Sequence, residues 1–155
     1  MRAGDRASTV AAYRELGFVE VQAGRRRTAE TWLAKAQALA ETSTEVAAVQ
    51  GIRGMNASDC GRYPDAFEHL AESIERARRG GDERQQAWSL SILGRAHLLR
   101  GERNQARVAV AGSLELVRQH AGWLFCRGRR RCAPSSTSWT ETSTPPRTVS
   151  SRRGC

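Results

Sequence analysis

Three histidines (His69, His97, His120) and four cysteines (Cys60, Cys126, Cys132, Cys155) are the side chains that could ligate a metal or start covalent chemistry. Zinc sites in short motifs use ligands about two to four residues apart. Cys126 and Cys132 are separated by five residues, and no histidine stands at metal spacing from another or from Cys60. A nucleophile also needs a base beside it. Cys60 has only Asp59 as an ionisable neighbour, so it reads as a structural residue near a helix end, and all four cysteines read as free thiols. A phosphate loop of the form Gly-x-x-x-x-Gly-Lys-Ser/Thr is missing, since Lys35 is the single lysine, and no Gly-x-Gly-x-x-Gly follows a strand. These patterns predict no catalytic residues, no cofactor and no metal.

Arginine is the remaining chemical resource. It supplies 24 of the 25 basic residues, a bias that matches the codon usage of a very GC-rich genome. Of the net charge of +9, residues 1–120 contribute +3 and residues 121–155 contribute +6. Arg25–Arg27, Arg76–Arg79 and Arg129–Arg131 could contact phosphates, which requires only clustered positive charge. The first two clusters read as solvated turns and helix ends. The third, with Trp123 and Trp139 as stacking partners, is the best nucleic-acid candidate. No apolar stretch approaches the roughly 18 to 20 residues that span a bilayer, and no signal sequence follows Met1. The expectation is a cytoplasmic chain without membrane contact.

The elements that must carry these residues emerge from self-comparison. Gly, six residues, Gly, four residues, Ala occurs as Gly17/Gly24/Ala29, Gly54/Gly61/Ala66 and Gly94/Gly101/Ala106, offset by 37 and then 40 residues. Each copy has a large apolar residue four positions after its alanine: Leu33, Leu70 and Val110. Apolar steps of three and four, as in Trp32, Leu33, Ala36, Leu39, predict two helices per copy. The second glycine then caps the first helix, Pro64 opens a second helix, and Thr42, Ser43 and Asp82 are available as N-caps. The first glycine and the alanine are small where two helix backbones cross.

This signature over residues 8–118 resembles the tetratricopeptide repeat. The longer period, and Glu20, Ala57 and His97 in place of the family's helix A aromatic, resemble the repeats of large LuxR-like bacterial signalling regulators. The resemblance implies an all-α fold: about three tandem antiparallel helix pairs in a right-handed superhelix, with a protein or peptide ligand on the concave face. Projecting the family's helix A positions puts Arg14, Phe18, Gln22, Met55, Asp59, Trp88, Ser91 and Arg95 in that groove. Phe18, Met55 and Trp88 are read there either as exposed ligand anchors or as residues that pack one repeat on the next. Phe18, Ile52 and Ser91 break the family's carboxylate-clamp set, so chaperone-tail binding is not expected.

Residues 127–155 contain no Leu, Ile, Met or Phe but eleven Ser or Thr and seven Arg, the composition of a disordered tail. Back-translated with G or C in third positions and read one frame over, residues 126–153 give a small residue, a glycine seven later, an alanine five further and a leucine four beyond. Its glycine falls about 40 residues past Gly101, in phase with the array. The tail is therefore expected to be frameshifted, and the array truncated. Val108, Val110, Leu114 and Val117 would form an uncovered face that a solenoid end cannot leave bare, so self-association is expected there.

The predicted organisation is a disordered segment 1–7, helical repeats over 8–120 (8–41, 45–79, 83–118) and a disordered Arg/Ser/Thr-rich tail 121–155. The predicted function is a non-catalytic protein-interaction module, a fragment of a larger transcriptional or signal-transduction regulator, with no specific nucleic acid partner. The alternatives are a basic nucleic-acid binder acting through the tail, and a nonfunctional remnant.

Overall fold

The computed structural model describes residues 3–126, with side chains for residues 4–119. These residues form six helices: α1 (Ala3–Gln22), α2 (Arg26–Leu39), α3 (Ser43–Asp59), α4 (Tyr63–Gly80), α5 (Glu83–Leu99) and α6 (Arg103–Cys126). They pack as three hairpins, α1/α2, α3/α4 and α5/α6, with α3 laid on the first hairpin and α5 on the second.

The turn inside each hairpin has one construction. Gly24, Gly61 and Gly101 adopt φ of 76°, 72° and 79°, where a side chain would be strained. The next residue's N–H bonds back to the third-last carbonyl of the helix: Arg25 to Glu20, Arg62 to Ala57, Glu102 to His97, each 2.9 Å. The turns between hairpins add side-chain caps, and the one after α4 also has a left-handed glycine, Gly81 at φ 67°. Thr42 and Glu45 form a reciprocal capping box, and Asp82 accepts from the Gln85 N–H at 2.9 Å.

The repeated four-residue signature is the helix crossing itself. A Cβ added at Gly17, Gly54 or Gly94 would lie 2.7 Å, 2.5 Å or 2.7 Å from Leu33, Leu70 or Val110, and within 3.5 Å of the carbonyl of Ala29, Ala66 or Ala106. The glycine thus receives the apolar side chain of the facing helix, and the alanine lets the backbones approach. Around these crossings lies a core of Val21, Ala29, Leu33, Ala36, Val49, Ile52 and Met55. Helix α3, covered by both neighbouring hairpins, buries nearly its whole central stretch, from Val46 to Ile52.

Two expected boundaries need correction. Residues 3–7, expected to be disordered, belong to α1, and Arg6 is tied to the start of α3 by hydrogen bonds to Glu45. Residues 121–126, assigned to the tail, continue α6. The remaining tail and its frameshift reading lie outside the described residues. Val110, Leu114 and Val117 are exposed by 38%, 49% and 51%, as expected for an uncovered final hairpin, whereas Val108, exposed by 74%, lies off that face, since its repeat equivalents Thr31 and Glu68 are exposed too.

Candidate partner-binding groove

Helices α1, α3 and α5, the first of each hairpin, line a cavity of about 520 Å³. Phe18, Ile52 and Trp88 form its apolar lining, with Ala48 beside them, while Arg14, Glu15, Asp82, Arg84 and Gln85 provide polar and charged groups. The position of Trp88 depends on Gly51, where an added Cβ would come within 2.6 Å of the indole and 2.8 Å of the Gln85 amide. Phe18 and Trp88 are half-buried and rest on the core, so each packs partly against the core and partly lines the cavity.

A buried polar chain fixes the start of α5. The Ser73 hydroxyl bonds to the Ala47 carbonyl (2.7 Å) and to the Ser89 hydroxyl (2.7 Å), which accepts from the Gln85 amide (3.1 Å). Ser73 and Ser89 are fully buried, and unpaired hydroxyls there would be costly. The chain therefore sets where Gln85 enters the cavity.

In the first turn of α3, two residues before Ala47, Glu45 closes the junction of α1, α2 and α3. Its carboxylate takes two hydrogen bonds from the Arg6 guanidinium, at 3.0 Å and 3.2 Å, and accepts from the backbone N–H of Thr42 and Glu41. The Arg6 bond first, and then the Thr42 backbone bond, hold its pKa down to about 2.

Of the projected groove residues, Arg14, Phe18 and Trp88 line the cavity. Met55 does not: it is 5% exposed and part of the core, so its reading as an exposed anchor is withdrawn. Arg95 is committed to one Asp59 oxygen, and the Arg26 guanidinium lies 3.1 Å from the other. Gln22 is exposed outside the lining, and Ser91 is exposed with its hydroxyl donating to the Trp88 carbonyl at 2.7 Å. The sequence reading missed Glu15, Asp82, Arg84 and Gln85 because they face the cavity from positions outside the family register it projected. A capping residue such as Asp82 carries no sign that its turn also borders a groove.

The two basic clusters among the described residues are largely neutralised by neighbouring acids: Arg25 by Glu20, Arg26 by Asp59, Arg76 by Glu72, and Arg78 and Arg79 by Glu75; Arg129–Arg131 lies outside the described residues. Hydrogen bonding to Arg78 and Arg79 lowers the Glu75 pKa, and bonding to Glu75 raises that of Arg78. Cys60 is an exposed free thiol at the end of α3. Among the described residues no cluster of three or more His, Cys, Asp or Glu is placed to hold a metal, and no helix is long and apolar enough to cross a membrane.

Stacked helix hairpins built on one crossing signature define a helical-repeat protein. Residues 45–119, from the first turn of α3 into α6, match the family model described as tetratricopeptide repeat. Those two hairpins are similar to tetratricopeptide repeats, and α1/α2 shares their crossing geometry. No curated protein and no solved structure matches the chain.

Proposed function

We propose that the chain is a non-catalytic interaction module that takes a peptide segment of a partner protein into the groove between α1, α3 and α5. The observation that carries this reading is the cavity lined by Phe18, Ile52 and Trp88 together with charged groups of both signs. Such a site suits one apolar side chain flanked by polar residues, because aromatic and arginine side chains supply most of the energy of compact contacts. The test is selection from a displayed peptide library, followed by titration of the selected sequences. Selected peptides sharing an apolar anchor, with affinity falling at least about tenfold in Trp88→Ala, would support the site. Equal binding to Trp88→Ala, with its helicity intact, would refute it.

The chain's origin in a larger cytoplasmic bacterial regulator belongs to the same proposal. The in-phase signature in the shifted reading frame supports it. Sequencing the locus tests it: further repeats in the shifted frame are expected, and an early stop there would overturn it.

A further inference from the structure

The two ends of the array are open in complementary ways, as the repeat offsets reveal. Leu98 occupies the position of Val21 and Ser58, which are 1% and 2% exposed, yet it is 57% exposed. Val110, at 38%, occupies the position of the fully buried Leu33 and Leu70, and Val117, at 51%, that of the fully buried Ala77. At the other end, Val19 in α1 is 55% exposed, whereas its equivalents Asn56 and Ala96 are 2% and 0%. Ala12 is exposed where Val49 and Ser89 are fully buried.

The chain itself shows what covers these surfaces. Within it, the front of α3 seats on α1/α2, and the front of α5 on α3/α4. The exposed front of α1 is the third member of that series, and the exposed back of α5/α6 is the third receptor. We infer that a second copy of this chain seats the Ala12, Leu16 and Val19 face of its α1 on the Leu98, Val110, Leu114 and Val117 face, continuing the array from molecule to molecule. The polar borders fit the same register. Arg26, which pairs with Asp59, has Arg103 as its equivalent at the back, and Asp59 has Gln22 as its equivalent at the front, so a guanidinium again meets a side-chain oxygen. This surface is separate from the groove, so peptide binding and assembly succeed or fail independently.

Front-to-back contact is heterologous, so each added copy leaves a new open end, and assembly grows with concentration rather than stopping at a dimer. The test uses the full chain in sedimentation velocity with three variants at exposed positions: Val19→Asp on the front, Leu114→Asp on the back and Val108→Asp as a control. Val108 is 74% exposed, and its equivalents Thr31 and Glu68 are exposed too, so no repeat buries that position. The wild type and Val108→Asp are expected to show average mass rising without plateau over roughly two decades of concentration. Val19→Asp and Leu114→Asp are each expected to stay monomeric, with unchanged helicity by circular dichroism. Their equimolar mixture is expected to form a one-to-one dimer, because each variant keeps the face the other lacks. A monomeric wild type, a Val19→Asp protein that still associates, a mixture no heavier than its components, or a Val108→Asp protein that loses assembly would each overturn the inference.

Discussion

Replacing Glu45 by glutamine preserves the side chain's shape while removing its charge. The native carboxylate receives four hydrogen bonds, two from Arg6 and two from the backbone of Glu41 and Thr42. An amide oxygen can keep only some of these, and an amide N–H would face the Arg6 donors. With a folded pKa of about 2 against an ordinary 4.5, the group contributes stability that is complete above about pH 4.5 and is lost as pH falls toward 2. The full shift would correspond to about 3 kcal/mol at 1.36 kcal/mol per unit. Solvent at the edge of the site screens part of that, so about 1 to 2 kcal/mol is expected. Urea unfolding at pH 7, followed by circular dichroism at low protein concentration, should show Glu45→Gln less stable by that amount. Repeating the series down to pH 2.5 should remove most of the difference between the two proteins, because the wild type gives up its advantage as pH falls toward the folded pKa. Parallel curves at every pH would refute the assignment of Glu45 as the charged clasp of this junction.

Gly54→Val should destabilise the fold by about 2 kcal/mol in the same assay, because a Cβ there would lie 2.5 Å from Leu70 and 3.2 Å from the Ala66 carbonyl; an unchanged midpoint would show that the helices can separate freely. Gly61→Ala meets nothing within 4 Å, and should cost about 1 to 2 kcal/mol from backbone strain at φ 72° alone. Ser73→Ala removes the donor to the Ala47 carbonyl and the acceptor of the Ser89 hydroxyl, for a loss of about 1 to 2 kcal/mol. That substitution should also weaken binding of a groove peptide, since Gln85 is positioned through Ser89; undiminished affinity would show the polar chain to be structural only.

The hairpins were legible in the sequence because their determinants are local and repeated. Gly24, Gly61 and Gly101 mark turns by a backbone requirement that no other residue meets cheaply, and Gly17, Gly54 and Gly94 mark crossings by a steric one. The groove was legible only where a helix A position also carried a large side chain, as at Phe18 and Trp88. Met55 was misplaced because helical periodicity gives a residue's face but not whether the next hairpin covers it. Asp59 and Arg95 were placed on the right helices, but their mutual pairing joins different hairpins, and no spacing along the chain encodes that. The start of α1 was missed for a related reason: Arg6 is held in place by Glu45, 39 residues away.

Asp59 gives the array a property that pairwise stacking lacks. In a linear repeat protein each unit senses only its neighbours, so the ends can fray independently. The first and third hairpins here do not pack on each other, yet Arg26 of one and Arg95 of the other hold the two oxygens of a single carboxylate in the hairpin between them. Fraying at either end therefore releases one arginine and changes the hold on the other. The three hairpins are coupled beyond nearest neighbours, and their opening, measured by hydrogen exchange, should be more concerted than in an Asp59→Asn protein, where α1/α2 and α5/α6 would loosen on separate schedules.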